Sequence, residues 1–290
     1  MFESKLHQYL QLIENGLRKF LPTHNELCPN FHNSLNYSTL NGGKRLRPVL
    51  TLAVCEMLNG NLSAAIPFAC AIEFVHAGSL IHDDLPCMDD SNFRRNQPSC
   101  HSKFGETMAI LAGDGLFLSA FKILTTANQH GINDKKIVKA CAFLSKMAGL
   151  NGMVLGQAID MFIDQNLYNK QTLKILYKLK TASLMRAACA LGGFTAEIDQ
   201  QTEKLLDSYA EHLGLAFQIC DDIIDFNDEP ETNSTFNSEK NKFTYVKLFG
   251  LNEAKNQAEI QTKIAKKLIK NFKNSQFLIH LTELMLKRIK

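Results

Sequence analysis

Two acidic runs hold the residues best suited to chemistry: Asp83-Asp84-Leu85-Pro86-Cys87-Met88-Asp89-Asp90, followed by Arg94 and Arg95, and Asp221-Asp222-Ile223-Ile224-Asp225. In the second run Asp221 and Asp225 stand four apart and share one face of a helix, with Asp222 beside them as a third oxygen donor. Each run follows an apolar stretch, Ala77 to His82 and Leu215 to Cys220, where solvated surface carboxylates are not expected. Carboxylates concentrated there need a cation. Oxygen ligands without His or Cys at metal spacing point to magnesium, which keeps several waters and bridges a few carboxylates to substrate phosphates. The partner implied is a phosphate ester. One acidic run alone is ordinarily a solvated helix end. Two of them, with first residues 138 positions apart (221 − 83 = 138), let two helices of a bundle present them across one cavity.

The cations that matter lie close by. Asn41-Gly42-Gly43-Lys44-Arg45-Leu46-Arg47-Pro48 sets two glycines before a basic triplet. Backbone there can approach an anion closely, while Lys44 and Arg47, three apart, reach it from one helical face. On its own this is also how an ordinary loop enters a helix. His76 lies seven residues before Asp83 on nearly the same face, as a core histidine or as a donor to a second phosphate group. Arg94 and Arg95 are adjacent and diverge, so they can serve two different anions. Cys87 is the thiol nearest to this chemistry, but its neighbours are carboxylates, which disfavour a thiolate.

The elements that must position these residues read as helices throughout. Apolar positions recur at three and four, and no alternating Val/Ile/Thr run suggests a strand. The fold class is all-α, with helices expected near 2–20, 45–59, 63–84, 104–128, 134–162, 171–190, 199–226, 242–249, 252–272 and 276–288, and with Pro29 among the punctuating residues. The chain has 290 residues, 45% of them hydrophobic, with no tryptophan, no repeat and no Gly/Pro/Ser-rich linker, which suits a single domain over 1–290. A net charge of +3 argues against a nucleic-acid binder that relies on a broad basic surface. No uninterrupted apolar run approaches the roughly 18 residues of a membrane span. The start, Met1 to His7, has an early acid and no apolar stretch, so a soluble protein of the cytoplasm is expected. The eight cysteines lack paired spacing and read as reduced core residues. Lys263, Lys266, Lys267 and Lys270 form the wet face of an amphipathic helix.

Taken together, Ser79 to Asp90 with Arg94-Arg95, the Gly42 to Pro48 turn, His101 to Glu106, Leu111 to Gly115, Gly156-Gln157 with Asp160, Lys180-Thr181 and Phe217 to Asp225 resemble the trans-isoprenyl diphosphate synthases, in order from about residue 35 to 250. The pattern is similar to the bacterial farnesyl diphosphate synthase type, marked by two extra residues inside the first aspartate motif. The resemblance implies an isoprenoid synthase fold: an all-helical homodimer, each subunit a bundle around a deep central cavity. It implies that Asp83, Asp84 and Asp89 on one wall, and Asp221, Asp222 and Asp225 on the other, hold magnesium against an allylic diphosphate. Arg94, Lys180 and Lys242 would add positive charge there. Lys44, Arg47, His76 and Arg95 would bind isopentenyl diphosphate, and Thr181 and Gln218 would stabilise the allylic cation. No side-chain nucleophile is required.

Two departures from the family pattern stand out. The lid segment after Asp225, about 226–241, is acidic and short of one lysine, with Lys240 displaced and only Lys242-Phe243-Thr244-Tyr245 kept. Gly78, five residues before Asp83, stands where this bacterial type commonly places an aromatic side chain that blocks the growing tail. Glycine leaves that level open, with Phe74 one turn further down as the next floor, unless a neighbouring helix fills the space. The activity expected is condensation of isopentenyl diphosphate with dimethylallyl or geranyl diphosphate to farnesyl diphosphate. Geranylgeranyl diphosphate synthesis, favoured by Gly78, is the nearest alternative. An inactive homologue that regulates a partner synthase is favoured only by the altered lid, and a terpene cyclase would not need the Lys44/Arg47/His76 group.

Overall fold

The computed structural model describes residues 2–22, 26–228 and 243–289 and is helical apart from one short hairpin among the described residues. Lys242, Lys240 and most of the 226–241 stretch lie outside the described residues. The chain clusters into two compact units, Met1–Cys141 with Phe194–Ala196, and Ala142–Gly193 with Glu197–Lys290.

The first unit contains α1 (Phe2–Phe20), α2 (Pro29–Leu40), α3 (Leu46–Met57) and α4 (Leu62–Asp83), then the hairpin β1 (Phe93–Arg94) and β2 (Gln97–Pro98), then α5 (Cys100–Phe104) and α6 (Glu106–Thr125). Its centre is α4, which packs on α1, α3 and α6. This helix is apolar on all sides, so it is buried nearly throughout. Asn61 starts it by accepting from the Ala64 N–H at 3.3 Å. It ends at Asp83, with Asp84 as its C-cap. A carboxylate opposes the partial negative charge at a helix C-terminus, so the acids here require cations from elsewhere. The hairpin supplies them. Arg95 and Asn96 form its two-residue loop, both left-handed (φ 54° and 61°), as a type I′ turn demands.

The second unit follows from α7 (Asp134–Ala148), which begins in the first, through α8 (Met153–Phe162), α9 (Lys170–Tyr177), α10 (Ser183–Gly193), α11 (Gln200–Asp228), α12 (Tyr245–Phe249), α13 (Leu251–Ile269) and α14 (Gln276–Lys287). Asn169 caps α9 on the Gln171 and Thr172 N–H groups, and Thr244 caps α12 on Lys247. Between α9 and α10 the chain makes a π-helical turn, Lys178–Ala182. The core of this unit joins Leu173, Leu176, Tyr177, Ile219, Ile223, Phe243, Tyr245 and Val246.

Some sequence expectations need correction. Residues 29–40 form α2, with Pro29 at its first turn rather than as a break. The expected helix at 104–128 divides at Gly105 (φ 86°), and that at 134–162 is interrupted over 149–152. By mean hydropathy and length, Leu62–Asp83, Glu106–His130 and Asp134–Phe162 are each apolar enough to cross a membrane, although no uninterrupted apolar run is. The first is mostly buried within the protein, whereas Leu111, Leu118, Val138 and Phe162 on the other two are exposed. All eight cysteines are free thiols, with Cys28 and Cys87 exposed.

Candidate active site

In the first unit the two adjacent arginines part company. Arg94, on β1, lays its guanidinium on both oxygens of Asp84, with Nε at 3.0 and 3.2 Å and Nη2 closer still. Asp84 is buried, and burial outweighs the arginine, leaving its carboxyl above the usual range. Arg95 turns the other way and donates to the Gly42 carbonyl. Gly43 has a backbone conformation that favours glycine (φ 109°), and a methyl group there would stand 2.6 Å from the Arg95 guanidinium carbon, so that arginine would have to shift. Arg47 Nη1 donates to His76 Nε2 at 3.1 Å. Burial first, then Arg47 and Arg95, hold His76 well below its ordinary pKa. Its ring is therefore neutral, with the proton on Nδ1. Arg47, His76, Arg95 and the exposed Lys44 thus gather around one glycine turn. Arg45, from the same basic triplet, points inward to Glu14, Glu73 and the Thr39 carbonyl and holds the turn in place.

Deeper along α4, Gly78 does not leave open space. A methyl group there would meet the Gly113 carbonyl at 3.1 Å and the Phe117 ring at 3.2 Å, both from α6. Phe117 also packs edge-on against His82, with ring centroids 5.4 Å apart. Phe74, one turn below, is 1% exposed.

In the second unit Asp221, Asp222 and Asp225 share the end of α11, again at the negative pole of a helix. Asp221 pairs with Arg288 Nη1 at 2.8 Å, and the same guanidinium lies 5.5 Å from the Phe217 ring centre. Asp225 is exposed. Asp222 is buried and accepts from the Tyr177 hydroxyl, from the Tyr245 N–H at 2.9 Å and from Gln218 Nε2 at 3.1 Å. Burial lifts its carboxyl to about 6 against the pull of those donors. Lys180 donates to Asp160 Oδ2 at 2.5 Å, and Thr181 Oγ1 lies 2.5 Å from Gln218 Oε1. Both Lys180 and Thr181 stand on the π-helical turn, a feature frequent at functional sites. Two glycines make room for it: a methyl at Gly156 would strike Lys180 N at 2.3 Å, and one at Gly214 would strike the Ala182 Cβ at 2.5 Å.

Among the described residues no three or more His, Cys, Asp or Glu side chains are grouped so as to hold a metal ion by themselves. The donors present still suit magnesium, which is bound by one or two carboxylates together with substrate phosphates. Asp83, Asp89, Asp221 and Asp225 are oxygen donors of that kind. Asp84 and Asp222, expected among the ligands, pair in this structure with Arg94 and with Tyr177, Gln218 and Tyr245.

A polyprenyl synthetase family model matches residues 28–282. The chain belongs to the polyprenyl synthetase family. It is 41% identical over 235 residues to geranylgeranyl pyrophosphate synthase 7, chloroplastic, of Arabidopsis thaliana, covering 79% of this chain and 67% of that protein. Among solved structures it is similar to an FPP/GFPP synthase from Zymomonas mobilis (TM-score 0.89, 30% identity, 98% of each chain). It is also similar to a geranyltransferase from Helicobacter pylori (TM-score 0.85, 32% identity, 98% of this chain and 97% of that one). The polyprenyl synthetase thus has the all-α isoprenoid synthase fold and the activity class of a trans-prenyltransferase. Sequence reasoning singled out neither Phe117, Tyr177 nor Arg288. Asp160 stood within a quoted motif without a role, and Arg288 carries no local signal at all.

Proposed function

We propose that this polyprenyl synthetase condenses isopentenyl diphosphate with dimethylallyl and geranyl diphosphate and stops at farnesyl diphosphate. In this reading Lys44, Arg47, His76 and Arg95 hold isopentenyl diphosphate. Neutral His76 serves as a hydrogen-bonding partner that keeps Arg47 directed at the anion. Arg94, Lys180 and Lys242 favour ionisation of the allylic carbon–oxygen bond by adding positive charge beside the departing pyrophosphate. Arg94 and Lys180 exchange their carboxylate partners, Asp84 and Asp160, for the substrate. Asp83, Asp89, Asp221 and Asp225 would hold magnesium, which supplies further charge for the same leaving group. Thr181 and Gln218 face the allylic cation with oxygen, the double bond of isopentenyl diphosphate attacks it, and the proton leaves to pyrophosphate.

The product length rests on one observation, the Phe117 ring against Gly78. Bulk that other enzymes place on α4 comes here from α6. The twenty-carbon alternative draws on Gly78 itself and on the name of the Arabidopsis relative. A homodimer accords with Ile110, Leu111 and Leu118, apolar side chains exposed along α6. Incubation with labelled isopentenyl diphosphate and each allylic primer, with magnesium or with a chelator, tests the reaction. Turnover is expected only with magnesium, and Asp83→Ala and Asp221→Ala should each lower it by roughly two to three orders of magnitude. Either variant within a few-fold of wild type at limiting magnesium would remove that residue from the metal set.

A further inference from the structure

Asp222 is 5% exposed, and its two oxygens are divided among three donors. Oδ2 takes the Tyr177 hydroxyl and the Tyr245 N–H, and Oδ1 takes Gln218 Nε2. An ionised carboxylate only accepts hydrogen bonds, so the Gln218 amide must turn its nitrogen toward Asp222. Its oxygen then faces Thr181 Oγ1 at 2.5 Å. Of those two oxygens only the threonine carries a hydrogen, so the Thr181 hydroxyl donates to Gln218 and its lone pairs are left for its other side. The Tyr245 N–H is shared with the Tyr177 hydroxyl oxygen at 3.0 Å, so the same carboxylate seats the first residue of α12. Every link lies within the second unit.

We propose that Asp222 is a positioning residue and not a metal ligand: it fixes the Gln218 amide and, through it, the Thr181 hydroxyl, so that lone pairs and not a proton face the allylic cation. What the lone pairs act on rests on the prenyl-transfer reading; the orientation rests on the hydrogen bonds alone. Oxygen lone pairs fixed in advance stabilise positive charge that develops beside them. A hydroxyl proton turned the same way would oppose it.

Asp222→Asn separates these roles. The new side chain can keep an oxygen for Tyr177 and Tyr245 only by pointing its NH2 at Gln218. Gln218 must then flip, its nitrogen donates to Thr181, and the Thr181 proton is released outward. The dipole chain reverses with no change in the residues at positions 181 and 218, the Gln218 amide only exchanging its nitrogen and oxygen. Asp222→Asn should melt close to wild type and bind magnesium pyrophosphate within about threefold by calorimetry. Both Michaelis constants should stay within about threefold while kcat falls roughly tenfold or more. Asp221→Asn should instead weaken magnesium pyrophosphate binding. In a Thr181→Val background, Asp222→Asn should lower kcat no further, since the two changes act on one interaction.

The proposal is overturned if Asp222→Asn loses pyrophosphate binding as Asp221→Asn does, if its kcat is unchanged, or if the same fall in kcat persists with Thr181→Val. Failure of the prenyl-transfer reading would show separately, as wild type that turns over no primer. Hydrogen exchange of the Tyr245 amide then decides the anchoring: slow exchange in wild type and Asp222→Asn with fast exchange in Asp222→Ala supports it, and fast exchange in wild type overturns it.

Discussion

His76 sits where a positive charge is least welcome, half-buried and facing Arg47, Arg95, Arg45 and Arg94. Its folded pKa is depressed, so the native ring stays neutral while the unfolded chain takes up a proton near the ordinary histidine value of about 6.5. The native form therefore gains nothing from pH above that value and loses stability below it, at up to about 1.4 kcal/mol per pH unit until the folded pKa is reached. Urea unfolding of wild type and His76→Gln between pH 8 and pH 5 checks this: any advantage of wild type at pH 8 should shrink on acidification. A gap independent of pH would contradict it. At this scale the sequence shows residue types well and their partners poorly. Arg94 and Arg95 were expected to diverge, and they do, toward Asp84 and Gly42. Spacing along a helix could not say that Asp84 and Asp222 are buried against protein donors while Asp225 is exposed, because that depends on side chains from β1 and α9 and a backbone N–H from α12. Arg288, 67 positions beyond its partner Asp221 (288 − 221 = 67), lies in no motif.

Among the elements, the π-helical turn Lys178–Ala182 carries Lys180 and Thr181, and it is held between Gly156 on α8 and Gly214 on α11. Ser183 supports it from within by donating to the Lys178 carbonyl five residues back, at 3.0 Å. A β-branched side chain at Gly214 would have to displace Ala182, whose Cα lies 2.6 Å from the added carbon. Gly214→Val should cost about 2 to 3 kcal/mol and lower Tm by several degrees. It should also reduce kcat in protein that remains fully folded, because Thr181 moves with the turn. Unchanged Tm and kcat would show that the glycine contacts do not set the turn. Most helices were legible because their buried faces follow the three-and-four spacing, as α11 and α13 do. The exception α2, Pro29–Leu40, is rich in Asn and Ser with a weak apolar stripe, so periodicity could not reveal it. The hairpin has two residues per strand, too short for alternation to register.

For the whole molecule, the family was legible because several motifs recur in order, and the match over residues 28–282 extends through both compact units. Product length was not, because the reading proposed for it rests on a contact between helices. Gly78 taken by itself suggests an open level, yet Phe117, 39 positions later (117 − 78 = 39), fills it from α6. No local pattern around Gly78 encodes that neighbour. The relatives divide on the same point, one named for a geranylgeranyl product and another for farnesyl and longer products. Product chromatography of wild type and Phe117→Ala, each with isopentenyl diphosphate and geranyl diphosphate, tests the central claim. Wild type should release a fifteen-carbon product, and Phe117→Ala should shift it to twenty carbons or more. A twenty-carbon product from wild type, or a fifteen-carbon product unchanged in Phe117→Ala, would contradict the assignment of Phe117 as the floor and of farnesyl diphosphate as the product it sets.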